Sequence, residues 1–485
     1  MDQIDLQEIK KKTTHNLLFL TLRNFGIQGV SFLGFFLLTL LLGRAEVGLF
    51  AIVAESIGIL GYFSDIGLAG ALIQKKGKVT TEELRTTFFI QQLLVLSSLT
   101  VLAILYPSVS HNLNFGDKEK WILISLCFSF IAASLKTIPS VLLERNLNFR
   151  LISTVDIIEN ISFYLVAVIF AYLGFGAYSY VYATFFRSIL GLTIIYFFNP
   201  WSIGFSFSIN AVKSLFKYGI PFQFNSFIAM AKDRLSYLLV ARIIGAESFG
   251  ILSWAQKGPR MPLSMMDAIM RVTFPTFSRL QDHKEILKKS LEKSIYFIAL
   301  FVFPCLMGIS LIAPDIINII PKYTKWAPAI IPLYFYAASA AIAAVTTPLT
   351  NAFNAIGKIS ITTRFMIMWT ILTWFFYPLL SYKYGYLGTS IAALIVGLSS
   401  IIVWITAKNI LGINVFKTVI HPLIATLIIF ILAYLFQLTT DKPFILLSGK
   451  IVIGMSVYAI YNYIFSKKEI SWFFQQIKNL KNVKS

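Results

Sequence analysis

Cysteine is nearly absent from this chain: 485 residues hold two, Cys127 and Cys305, each deep in an apolar run. That rules out a disulfide framework or a cysteine metal site, and a structural thiol is the default reading for both. Histidine is almost as scarce. The four residues, His15, His111, His283 and His421, lie far apart, and none sits mid-span beside a carboxylate. No nucleophile elbow, phosphate-binding glycine loop or metal-ligand spacing occurs, so no catalytic residue, cofactor or metal is assigned. Charge is the third shortage. Charged residues make up 13% of the chain against 57% hydrophobic, with a mean hydropathy of +0.75. A soluble globular chain does not have this composition.

Apolar runs take the place of what is missing. Each is about 20 residues long, enough to cross a hydrocarbon core of roughly 30 Å. They fall near 17–42, 48–73, 86–106, 121–143, 151–173, 177–198 and 214–243, then 248–272, 290–313, 327–355, 359–381, 387–409, 418–437 and 444–466. The pattern predicts an all-α polytopic membrane protein with about fourteen transmembrane helices.

A net charge of +20 would suggest nucleic acid in a soluble protein. Here the basic residues gather in alternate loops. Lys10 to Lys12, Lys75, Lys76, Arg145, Lys284, Lys288, Lys358 and Lys408 fall on one side, while the opposite loops hold few, among them Arg44, Lys118, Lys322 and Lys442. This is the positive-inside pattern, with both termini cytoplasmic and no nucleic-acid partner. The polar start MDQIDLQEIKKKTTH runs into a span with no small-residue cleavage site, and residues 1–16 read as a retained cytoplasmic segment. The tail 467–485 alternates apolar residues with lysines and suits a helix lying on an anionic inner leaflet. The outer loops are short and leave no room for a folded external domain.

The chain also repeats itself. LLGRAEVGLF at Gly43 to Phe50 returns as IIGAESFGIL, with the same Gly-to-Gly spacing at Gly245 and Gly250. Pro139 then matches Pro348, and Gly176 matches Gly388, the offset growing slowly from 202 to 212 as loop insertions require. Six helices per unit is an even number, so the two copies share an orientation. We therefore expect two parallel six-helix lobes, residues 17–212 and 213–411, around a central pathway. Two further helices occupy 412–466, outside the repeat.

Charges inside the spans single out candidate residues, because a charge at the bilayer centre costs at least roughly 2.5–3.5 kcal/mol. The stretch Lys217 to Arg271 is the richest. Helical spacing puts Asp233, Arg234 and Tyr237 on one face, Lys257, Arg260 and Asp267 on another, and Glu55, Gly58, Tyr62 and Asp65 together on the second helix. Two readings stand open. The charges either pair with one another, as Asp233–Arg234 or Lys257–Asp267, or they line a hydrated cationic cavity. In the second reading Arg23, Arg234, Lys257 and Arg260 bind an anionic substrate, and Glu55 and Asp233 couple transport to an ion gradient. Pro259 and Pro262 are expected to kink their helix.

The order of LLGRAEVGLFA, FSDIGLAGALIQKK, LLERNLNFR and GYLGTSIAA along the chain resembles a polysaccharide-type flippase. Such Wzx-like proteins belong to the multidrug/oligosaccharidyl-lipid/polysaccharide exporter superfamily, and the resemblance spans nearly the whole chain. It implies a non-enzymatic transporter of the bacterial plasma (inner) membrane. Its substrate would be an undecaprenyl-pyrophosphate-linked oligosaccharide, moved from inner to outer leaflet by alternating access for cell-surface polysaccharide such as O-antigen. Membrane lipids, a polysaccharide polymerase and assembly proteins are the implied partners. A multidrug exporter of the same superfamily would prefer an acidic interior, and this one is net basic. A membrane polymerase or acyltransferase would need a large outer catalytic loop or an intramembrane His–carboxylate pair, and neither is present.

Overall fold

The computed structural model describes residues 26–209, 227 and 230–465, apart from 65, 66, 76, 78, 114 and 147. The expected cytoplasmic segment 1–16, the amphipathic tail and Arg23 lie outside the described residues. Among the described residues the chain is helical and has no strand.

The first helices are α1 at Gly26–Leu41, α2 at Arg44–Phe63, α3 at Leu68–Gln74, α4 at Thr81–Leu113, α5 at Asp117–Arg145, α6 at Phe149–Tyr172 and α7 at Tyr178–Phe198. A π-helical turn, Ala231–Leu235, leads into the long α8, Ser236–Arg279. Then follow α9 at Lys284–Ile319, a 3-10 segment Pro321–Ala329, α10 at Ile330–Ala355, α11 at Ile359–Leu398, α12 at Ile401–Leu411, α13 at Val415–Gln437 and α14 at Pro443–Phe465. Eleven helical stretches among the described residues are long and apolar enough to cross a membrane. Within the described residues, the expected pairs 214–243/248–272 and 359–381/387–409 each join across a break, at Gly245 inside Ser236–Arg279 and at Gly385 inside Ile359–Leu398. Both breaks have positive φ, +77° and +60°, a backbone region that glycine enters without a Cβ penalty. Inside α8 the non-helical angles fall at Gly245, and the backbone stays helical through Pro259 and Pro262, where a kink was expected.

Local chemistry starts these helices. Gly43 and Gly116 precede α2 and α5, and a glutamate three residues on reaches back to each glycine amide, Glu46 at 2.8 Å and Glu119 at 2.9 Å. That satisfies one of the donors a helix start leaves orphaned. The side chains of Asn148 and Asn414 do the same for α6 and α13, accepting from the amides of Leu151 and Lys417.

The described residues form two compact units. One takes the chain up to Ser253 together with Met366–Thr389; the other takes Trp254–Phe365 and the chain from Ser390. In the first, Phe50 of α2 stacks on Tyr180 of α7 at 4.1 Å. Arg145, at the end of α5, donates to the carbonyls of Leu72, Ile73, Lys75 and Gly77 and so pins the connection after α3. In the second unit α10 buries Ala337, Ala340, Ala344 and Ala352. Ser339 donates to the Ala393 carbonyl at 3.1 Å, and Gly397 lies too close to Ser339 for a larger side chain. Small residues let helix backbones approach where lipid supplies no hydrophobic drive for association. The large apolar side chains left exposed, such as Leu96, Ile104 and Met455, are a lipid-facing surface.

Candidate functional site

The charged stretch before Gly245 folds against α2. Glu55 and Gly58 share a helix face, and the Arg234 guanidinium meets both. Its Nη1 lies 3.0 Å from Glu55 Oε2 and fills the space that a Cβ on residue 58 would need. A side chain at 58 would displace the guanidinium from this position. The two side chains keep 37% and 33% of their surface exposed, so the pair is reachable.

Asp233 behaves differently from its neighbour. It bonds Lys232 Nζ at 2.7 Å and is largely exposed, so the Asp233–Arg234 pairing is not formed. Residues 231–235 form a π-helical turn, which winds wider than an α-helix, and Arg234 within it is taken by Glu55 instead. Trp374 of α11 donates its indole N–H to the Ala231 carbonyl at 3.1 Å, and Ser236 returns its hydroxyl to the carbonyls of Lys232 and Asp233. Tyr237 packs edge-on against Tyr377 and Phe249 beside these charges. Glu55, Lys232, Asp233 and Arg234 sum to zero formal charge. Lys257 and Arg260 lie on the later part of α8, in the other compact unit; Lys257 is half-buried and Arg260 exposed.

At the other end of α2 the two like turns interlock. A Cβ on Gly48 would strike the Ala246 carbonyl, and a Cβ on Gly250 would strike the Arg44 carbonyl. The contact is reciprocal: each turn offers a glycine to the residue four positions earlier in the other. Arg44 and Glu247 close over it in an ion pair of 3.0 Å. The glutamates of the two turns nonetheless do different work. Glu46 stands three residues after its glycine and caps it, while Glu247 stands two after Gly245 and points at Arg44. Glu46 also fills the space beside Gly176, which joins the first and last sequence motifs of the N-terminal half.

Two further charge clusters form around Arg187 and Lys450, interior charges whose roles the sequence left undecided. Glu159 of α6 is buried and pairs with Lys136 of α5; Arg187 of α7 lies 3.8 Å away and sits over the Phe163 ring. Gly191 leaves the space that Glu159 occupies. In the second unit, Lys450 of α14 meets both oxygens of Asp315 of α9, at 3.1 and 2.8 Å, with side chains 3% and 5% exposed. An acid and a base inside apolar runs were visible signals at Lys136 and Glu159, but the three-way meeting at Glu159 needs the helices' rotation. Among the described residues no group of three or more His, Cys, Asp or Glu converges as a metal site would require.

A family model described as "Polysaccharide biosynthesis protein" matches residues 37–331. The chain belongs to that family. A membrane protein in the cps region of Klebsiella pneumoniae is 23% identical over 97% of this chain and 99% of the relative. The lipopolysaccharide biosynthesis protein WzxC of Escherichia coli is 22% identical over 71% of this chain and 70% of its own length. Among solved structures, the lipid II flippase MurJ in an inward closed conformation aligns with a TM-score of 0.73 at 16% identity, covering 93% of this chain and 99% of MurJ. The chain therefore has the MurJ-like helical membrane fold.

Proposed function

We propose that this protein moves a lipid-linked oligosaccharide from the inner to the outer leaflet of a bacterial inner membrane, for cell-surface polysaccharide synthesis. Family membership, a relative named for lipopolysaccharide biosynthesis, and a fold like that of the lipid II flippase MurJ support the reading. The observation that carries it is the partly exposed Arg234–Glu55 pair between two helical stretches apolar enough to cross a membrane. A hydroxyl left unpaired in an apolar medium costs roughly 2–7 kcal/mol, so a sugar chain needs a polar path. A guanidinium held loosely by one carboxylate can pass to the pyrophosphate of an undecaprenyl-linked substrate, which offers bidentate acceptors. Glu55 is then free to take a proton or cation, which would couple the step to the membrane gradient. Lys257 and Arg260 extend the basic character along α8, and Asp233, tied to Lys232, is the weaker coupling candidate.

Two parallel lobes rocking about the like turns would provide alternating access. In this scheme the reciprocal glycine contact, with Arg44 and Glu247, closes the outer side. Both termini are cytoplasmic, and a polysaccharide polymerase takes the delivered unit. A multidrug exporter, the second reading, would move cations; the cluster of Lys136, Arg187 and Glu159 is net positive and favours anionic cargo.

The test is reconstitution in liposomes with a lipid-linked oligosaccharide and a glycan-specific probe of the outer leaflet. Appearance of glycan outside at rates above empty liposomes is expected, with Arg234→Ala slower. No acceleration, alongside transport of a cationic dye, would replace this reading by the exporter. Orientation is read separately in a background lacking Cys127 and Cys305. Cysteines at the exposed Lys118 and Lys322 should react with an impermeant reagent outside, and one at Lys358 should not. The reverse pattern would invert the topology.

A further inference from the structure

Two cavities run along one pair of helices in the second unit, α9 and α13. The first, of about 710 Å³, lies at the start of both; Lys288, Lys289 and Lys293 of α9 and Lys417 of α13 line it, against Glu285 and Glu292. Four lysines against two glutamates leave a formal excess of two positive charges. Tyr296 and Phe297 line it as well, and the lysine-bearing end of α9 gives way there to its apolar run. The second cavity, of about 720 Å³, has an almost wholly apolar lining that includes Phe303 and Leu306 of α9, Val419 and Leu423 of α13, and Trp404 of α12. On α13 the two linings interleave, Lys417 and His421 in the first and Phe416, Val419 and Leu423 in the second. The charged and apolar linings adjoin on α13, where Lys417 of the first follows Phe416 of the second.

We propose that this pair of cavities is a site for an anionic phospholipid of the surrounding bilayer, with its phosphate among Lys288, Lys289 and Lys417 and an acyl chain in the apolar trough. The shared chemistry is a phosphate anion. The apolar trough beside the lysines is what selects a lipid over the free ion. An ammonium is a compact, strongly hydrated cation with three rotatable donors, suited to a single phosphate. Several of them near a membrane surface each add about 1 kcal/mol of attraction to anionic lipid. Neutral headgroups gain nothing from the charge excess. The site shares no lining residue with the Arg234–Glu55 pair, so it holds whether or not those residues carry the exported substrate.

The test is native mass spectrometry of the full-length protein in detergent, titrated in parallel with phosphatidylglycerol, phosphatidylethanolamine, an isoprenyl phosphate and inorganic phosphate. Phosphatidylglycerol should be retained at least about tenfold more tightly than phosphatidylethanolamine. The triple variant Lys288→Gln/Lys289→Gln/Lys417→Gln should lose that preference while its melting temperature stays near that of the parent. The matching Lys→Arg triple, which keeps the charge, should retain it. Equal retention of the two phospholipids, or a preference untouched by the Gln triple, would overturn the site. Tighter, Gln-sensitive binding of the isoprenyl phosphate would assign the cavity to the exported lipid. Complete displacement by millimolar inorganic phosphate would assign it to the free ion. Either of those two results removes the phospholipid.

Discussion

Two ion pairs carried by helical stretches long and apolar enough to cross a membrane meet opposite conditions in this chain. Lys450–Asp315 is sealed, its side chains 3% and 5% exposed, and the lysine spends a further hydrogen bond on the Leu311 carbonyl at 3.4 Å. Arg234–Glu55 is open, at 37% and 33%, and its arginine lies over a glycine instead of a packed side chain. A sealed pair cancels its own charge and ties α14 to α9; nothing else can reach it. An open pair holds its charge on loan. The difference teaches that a charge inside an apolar span is not by itself a functional sign, because burial decides whether the charge is available.

The largest effect is expected from breaking the sealed pair. Lys450→Ala or Asp315→Ala alone strands a buried charge, at a cost of about 3–5 kcal/mol. Thermal unfolding of the detergent-solubilised protein should fall sharply, with less protein in membranes. The double variant Lys450→Met/Asp315→Leu should recover most of the loss; if it does not, the pair contributes more than mutual neutralisation. Next comes the glycine interlock. Gly48→Val forces a side chain onto the Ala246 backbone, and overpacking of this kind costs about 1–3 kcal/mol. Export should fail in variants that still insert, and unchanged export would remove the interlock from the transport cycle.

The open pair should show the reverse balance. Arg234→Ala is expected to shift stability by no more than about 1 kcal/mol, as half-exposed pairs do. Export of glycan should nevertheless fall at least tenfold, the equivalent of about 1.4 kcal/mol. A variant that loses stability and export in parallel would place this pair with the sealed one. The smallest effect belongs to Arg44→Ala at the exposed Arg44–Glu247 contact, about 0.2–1 kcal/mol and lower still in high salt. Melting curves at low and high ionic strength measure it.

The spans were legible because a hydrocarbon core accepts little besides long apolar helices, and 57% hydrophobic content leaves a plain pattern. The like turns at Gly43 and Gly245 were legible from spacing, as was the shared face of Glu55 and Gly58 that receives Arg234. Asp315 was not, since it falls just beyond the expected span 290–313 and read as loop, while α9 runs on to Ile319. Lys136 and Glu159 sat in plain view inside two spans, yet their partnership depends on how α5 and α6 are rotated, which periodicity in lipid barely specifies.

By itself, then, the sequence determined the helical membrane class, the approximate spans, the doubled glycine turns and which residues carry charge into the bilayer. These follow from local properties: run length, turn chemistry and the cost of burying charge. Only the tertiary structure decided which charges cancel. Asp233 pairs with Lys232 in the π turn, Arg234 pairs with Glu55 over the open space at Gly58, and Lys450 is sealed onto Asp315 by helices more than a hundred residues apart in the chain. Pairing depends on distances between helices, and a one-dimensional pattern does not contain those distances.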